Sequence, residues 1–271
     1  VHFLPYGQGI FRRRFRLRGE PGRVVGDMED DFHRFRAELH HDGERVTAVR
    51  GEARRHPWTE CPGAAAALQP LVGMPLSVSP TAAASRVNPR ENCTHLLDVA
   101  SLALTCAAAG LERREYDIAV PDRREWRTRA TLKRDGEPML AWDVAGSVIE
   151  GPPPYRGVEM RGAGFLRWSE EHLDPETAEA VLALRRACFI AMGRARDLDA
   201  ARSAVDYMGL AKGSCHSFTP GIAERALRIR GSTRDFTHAP ERLLADLEPD
   251  DAEGGREARS SAGSAEATRA G

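Results

Sequence analysis

The sequence predicts an α+β protein, with antiparallel sheets and helices packed on one face. Three observations predict it. Strand-like and helix-like stretches follow the order strands, helices, strands, helices, with no regular βαβ alternation. Two dipeptides, Asp42-Gly43 and Asp135-Gly136, sit between alternating segments and favour the positive φ of a tight hairpin turn. With 271 residues, the chain can bury a core without a disulfide or metal merely to fold.

Gly9–Arg18 reads as the first strand. Its odd positions from Phe11 through Phe15 to Leu17 give a partly apolar face, and Arg12, Arg13, Arg14, Arg16 and Arg18 read as a solvated strand face or a phosphate grip. Gly26–His40 and Glu44–His56 then flank the first turn, with His40 and His41 solvated beside it. After Cys61-Pro62-Gly63 an Ala-rich segment with Leu68, Leu71 and Val72 predicts a helix that Pro70 shortens or kinks. Pro75–Asn88 reads as an irregular connector. Cys93–Ala109 has Leu96, Ala100, Ala103, Leu104 and Ala107 on one face, with Gly110 as its stop.

A second β-section follows: Tyr116–Val120, Trp126–Arg134, Glu137–Val144 and Ser147–Ile149, then a break at Gly151–Pro154. Arg34–Glu44 and Arg127–Glu137 are identical at seven of eleven positions, from shared turn chemistry or from duplication. In the helical third, Asp174-Pro175 opens a helix whose stripe is Val181, Leu184, Cys188 and Met192. Leu198–Met208 and Ile222–Ile229 are expected as further helices. The predicted domain is 9–247, with a candidate subdivision near 110–115. Residues 248–271 have almost no large apolar side chain and are expected to be a disordered tail.

Charge and composition exclude several classes. The 39 basic and 40 acidic residues give a net charge of -1, which argues against a broadly basic nucleic-acid binder. Nearly all basic residues are arginine, with lysine only at Lys133 and Lys212, as codon bias in a GC-rich bacterial genome would produce. No apolar run reaches membrane-span length, and Val1–Gly9 has no apolar h-region, which predicts no secretory signal. Five cysteines, an odd number, argue for a reducing, cytoplasmic compartment. No GxGxxG after a strand, P-loop, HExxH or GxSxG is present.

The cysteines carry the chemistry. Cys61, Cys93 and Cys215 each stand at or just before an expected helix start, where partial positive charge stabilises a thiolate. Cys106 and Cys188 read as small core residues. His95 follows Cys93 by two positions, and the pair can converge on one ion if Cys93 precedes the first turn. Asp98 lies one turn beyond and is expected to orient the second ring nitrogen. Cys215-His216 is a second soft-ligand pair. Glu29, Asp30 and Asp31 read as an exposed acidic run, with a divalent cation as the alternative. The expected metal ligands are Cys61, Cys93, His95 and Cys215, a set that suits zinc or an iron–sulphur centre.

Cys61-Pro62, Leu71-Val72-Gly73 and Asn92-Cys93-Thr94-His95-Leu96 resemble the bacterial family called domain of unknown function 2889, over about 10–236. More distantly, three strands, a Cys opening a helix, then a second Cys opening an Ala-rich helix resemble the NifU-type iron–sulphur scaffold and its SufE-like relatives. That resemblance implies Cys61 and Cys93 as cluster thiolates, with His95 beside them; it supplies no counterpart for the middle cysteine. Three functions follow as expectations: a metal- or thiolate-dependent enzyme acting on a small organic molecule, an iron–sulphur or sulphur-transfer accessory protein, and a non-catalytic binding or scaffolding protein. The expected partners are a small-molecule substrate and a second copy of the chain, without nucleic acid or membrane.

Overall fold

The computed structural model describes residues 5–88, 91–207 and 213–247. Its frame is one eight-stranded antiparallel sheet of order β4-β3-β2-β1-β5-β6-β7-β8. The first four strands are β1 (Ile10–Glu20), β2 (Arg23–Asp30), β3 (Arg34–His41) and β4 (Val46–Arg55). A long 3₁₀ segment, Cys61–Leu71, leads towards helix α1 (Thr94–Ala108). The second four are β5 (Arg113–Pro121), β6 (Arg127–Arg134), β7 (Glu137–Ala145) and β8 (Val148–Gly151). Helices α2 (Ala163–His172) and α3 (Pro175–Ile190) follow. Strand β1 pairs along β5, so the sheet runs unbroken across residues 110–115. Among the described residues, no helix is long and apolar enough to cross a membrane.

Helices α1 and α3 lie on the same face, the one that carries Phe15, Leu17, Met28, Phe35 and Tyr116. α1 lies against β2 and β3, and the Cys61–Leu71 segment lies against β4. Two glycines allow that closeness. A Cβ at Gly26 would sit 2.8 Å from Val99 Cγ1, and one at Gly51 would sit 2.7 Å from Leu96 Cδ2.

The opposite face is charged. Arg14 pairs with Asp117 at 2.7 Å, Arg16 with Glu115 at 2.8 Å and Arg36 with Asp27 at 2.8 Å. The end of the described chain crosses this face. Its carbonyls at Leu243 and Leu247 accept from Arg14 and Arg16, and Leu244 N–H donates to Glu29. Arg14, Arg16 and Arg18 are therefore half-buried ion-pair partners, and Arg12 donates to Thr237 O at 3.2 Å, rather than forming a solvated face or a phosphate grip.

Several local expectations are corrected. Gly26–His40 is not one strand, because Asp30 Oδ1 accepts the N–H groups of Phe32 and His33 and folds a turn between β2 and β3. That turn has neither Gly nor Pro to announce it. α2 has only Phe165 and Ser169 buried, so no apolar stripe marks it. Ile222–Ile229 is not a helix: Leu227 and Arg228 form bridges to Ser203 and Trp58 instead. Leu198–Met208 holds two short 3₁₀ turns, Leu198–Ala200 and Ala204–Tyr207, and its end lies outside the described residues. The tail expectation for 248–271 also lies outside them.

Candidate functional site

The start of α1 is where three chain segments meet. Cys93 is its N-cap residue, held extended at φ -81 and ψ 122. Cys61 opens the 3₁₀ segment, and Cys215 caps the 3₁₀ turn His216–Phe218. The backbone ties these starts together. His216 N–H donates to Asn92 O at 2.9 Å, and the Ser217 hydroxyl donates to Cys61 Sγ at 3.4 Å. Asn92, fully buried, donates its amide to Ala67 O at 3.1 Å. Gly63 lies close under this turn: a Cβ there would sit 2.9 Å from His216 Nε2, so the ring would have to shift to admit one.

Burial sets the charge state of the thiols. It pushes Cys61 up to about 12, although the Ser217 hydroxyl pulls the other way. It pushes Cys93 well above its usual range, against the pull of the Leu96 and His95 amides. Cys215 is raised as well. Beyond burial, Cys215 raises Cys61, while Cys215 and Cys61 both raise Cys93. The expectation of thiolates stabilised by helix starts is therefore overturned: desolvation exceeds the pull of the few N–H groups at each start.

His95 stands behind Cys93, with Nδ1 3.9 Å from Cys93 Sγ. Its ring stacks on His33 at 3.8 Å and on Phe35 at 6.0 Å. Burial holds both imidazoles below their usual pKa, so both are neutral at pH 7. His95 Nε2 and Asn92 Oδ1 are buried without hydrogen-bond partners. Asp98 does not orient His95; it pairs with Arg186 at 3.1 Å, because α3 places that guanidinium on the outer side of α1.

Among the described residues, the ligand-type atoms lying mutually within 4.8 Å belong to Asp30, His33 and His95, not to the three cysteines. The acidic run is not exposed: Glu29, Asp30 and Asp31 are all buried, because arginines meet them. Asp30 Oδ2 accepts from Arg13 Nε and Nη2, and Oδ1 accepts from Phe32 N, His33 N and His33 Nδ1. Burial alone would raise this carboxyl, but His33 and Arg13 hold it well below its usual range. With both oxygens occupied, Asp30 is a poor metal ligand. It locks the tautomer and position of His33, and through that ring the position of His95.

Sequence reasoning missed His33, and it read Arg13 and Asp30 as separate surface features rather than as a buried pair. A signal was present: Arg13 occupies an odd position on the otherwise apolar face of β1, where an arginine must find a buried anion. No curated protein matches the chain. Residues 21–109, which run from just before β2 to just past α1 and include Cys61, Cys93 and His95, match the family described as "Protein of unknown function (DUF2889)".

Proposed function

We propose that this protein holds a soft-metal centre, zinc or iron–sulphur, that draws together Cys61, Cys93, Cys215 and His95, no three of whose ligand atoms lie within 4.8 Å of one another without it, and serves as an iron–sulphur or sulphur-transfer accessory protein. One observation carries the reading. Cys215 raises the proton affinity of Cys61 and Cys93, and Cys61 raises that of Cys93, beside a neutral imidazole whose Nε2 is buried without a partner. A metal removes that conflict, since it displaces the thiol protons and needs its imidazole neutral. The donor chemistry fits: sulphur and imidazole nitrogen are the ligands of zinc and of iron–sulphur centres. A free thiolate nucleophile fits less well, because burial opposes its charge.

In this reading Ser217 steadies the Cys61 sulphur, the His216–Asn92 hydrogen bond fixes the Cys215 turn against α1, and His33 stacks His95 in place. One observation favours the alternative, a metal-dependent enzyme acting on a small organic molecule. Cys215 is half-buried while Cys61 and Cys93 are buried, so the site meets solvent on the Cys215 side. A metal with an open position there would polarise a carbonyl or activate water.

Metal and sulphide analysis of protein purified without oxygen separates the readings. Iron with sulphide and a brown chromophore supports the accessory role, and zinc near one per chain with a small-molecule-dependent activity supports the enzyme. If all five thiols react freely and their reactivity is unchanged by added zinc or iron, the metal reading is wrong and a binding or scaffolding role takes its place.

A further inference from the structure

The far end of α1 holds a second site, about 18 Å from Cys93 at the helical rise. There α1, the first turn of α3 and the start of β5 enclose a cavity of about 80 Å³, room for several waters. Its walls include Val78, Leu102, Ala109, Leu111 and Pro175. Val78 also borders a wider cleft along Leu76 and Ala107, so the cavity has an approach from solvent. Its polar lining is Thr105, Arg114, Glu176 and Glu179.

Glu179 is the unusual member. Its carboxylate is buried, and two neutral hydroxyls meet it: Tyr116 at Oε1 and Thr105 at Oε2. Thr105 has one hydrogen and two claimants, because its oxygen also lies 3.0 Å from Leu102 O within its own helix. When the hydroxyl serves the helix, Glu179 Oε2 has no donor. The nearest cation, Arg114 Nη1, is 3.8 Å from Oε1, and the same guanidinium lies 3.2 Å from Asp135. Glu176 is matched by Arg134 at 2.9 Å. Glu176, Glu179 and Asp135 thus face two guanidiniums, which leaves one negative charge uncompensated beside the cavity.

We infer that this cavity binds a short alkylammonium: the ammonium donates to Glu179, and the alkyl chain lies against Val78, Leu102, Ala109, Leu111 and Pro175. The ammonium supplies the donor that Thr105 shares and the positive charge that Arg114 divides with Asp135. Burial raises the Glu179 carboxyl above its usual range, against the pull of the Thr105 and Tyr116 hydroxyls and of Arg114. The inference is independent of the metal reading, because no residue is shared between the two sites.

Calorimetry on the full chain with n-propylammonium chloride tests it, with sodium propionate and sodium chloride as controls. The expected result is saturable binding of propylammonium and no binding of propionate. Glu179→Gln can still accept from Tyr116 and can donate its amide to Thr105 Oγ1 while that hydroxyl turns to Leu102 O, but it loses the charge; it should bind about tenfold more weakly or worse. Ala109→Leu, at an exposed wall position, fills the cavity without touching Glu179 and should also weaken binding. Propionate binding in place of propylammonium would make Arg114 the anchor and overturn the inference. So would the absence of any ammonium binding at millimolar concentration, or binding unchanged in both variants.

Discussion

Strands β1–β4 and β5–β8 are two antiparallel meanders joined edge to edge through β1 and β5. Their covers differ. Under α1, the first half buries Arg13, Asp30, Asn92 and His95, and Asp30 there accepts hydrogen bonds from Arg13, Phe32 and His33. Under α2 and α3, the second half is capped by rings: Trp142 meets Tyr155 at 5.4 Å and Phe165 at 6.4 Å, and Trp168 meets both of those partners. An aromatic cover gains its stability from area and shape. A buried polar cover costs desolvation and persists where geometry has to be held, which is why the site proposed above is placed in this half.

The comparison also bears on the repeated hairpin sequence. Arg34–Glu44 lies on β3, its turn and the approach to β4, whereas Arg127–Glu137 lies on β6, its turn and the start of β7. These are the third and second strands of their halves, so the likeness is out of step with the symmetry of the sheet. The two bends share a positive φ at Gly43 and Gly136, but Asp42 accepts the N–H groups of Glu44 and Arg45 at its bend, whereas Asp135 accepts that of Glu115 on β5.

The largest expected effect is on the metal. Cys93→Ser should abolish stoichiometric retention, with of order 10 kcal/mol of binding free energy at stake for a structural zinc. Near-ultraviolet circular dichroism from the Trp142 cluster should stay unchanged. A Cys93→Ser protein that keeps its metal would remove the distinction between the halves. Next is Asp30→Asn, which leaves Arg13 buried without its anion and should cost about 3–5 kcal/mol in urea unfolding. A loss within the error of the measurement would show that Asp30 does not hold this half together.

Titration gives a subtler contrast. His33 and His95 are held below their usual 6.5, so the unfolded chain takes up their protons first. Stability present above about pH 6.5 is therefore lost as the pH falls below it. Asp31 works in the opposite sense: burial raises it from 3.8 to about 7, against the pull of Arg194. Its contribution is complete below 3.8 and is lost as the pH rises to about 7. Asp31→Asn should thus gain on the wild type between those values and hold the gain above them; parallel stability curves would contradict this. Arg194 remains paired in the variant, with Asp122 at 2.9 Å.

The smallest effect belongs to the second half. Glu125 and Trp126 turn β5 into β6 at φ 48 and 65, a left-handed conformation that favours Asn-Gly. Replacing both with Asn-Gly should raise stability by about 1–2 kcal/mol, read as a higher Tm. A lower Tm would mean that the exposed Trp126 ring makes a contact that offsets the strain.

Local chemistry in the sequence determined a good deal. The spacing of Leu96, Ala100, Ala103 and Leu104 specifies α1, Asp42-Gly43 and Asp135-Gly136 specify the hairpins, and alternation from Phe11 specifies which face of β1 turns inward. It also placed Cys61, Cys93 and Cys215 at helix or 3₁₀ starts. These features are set within a turn or two of chain, where neighbouring side chains and backbone decide the conformation. Tertiary structure alone decided the environment. Asp30 finds Arg13 from 17 residues away, Asp31 finds Arg194 from 163 away, and Ser217 reaches Cys61 across 156. Those meetings bury the acidic run, send Asp98 to Arg186 and lift the thiols out of the range expected at a helix start. Desolvation and pairing depend on everything that packs around a group, and most of that arrives from far along the chain.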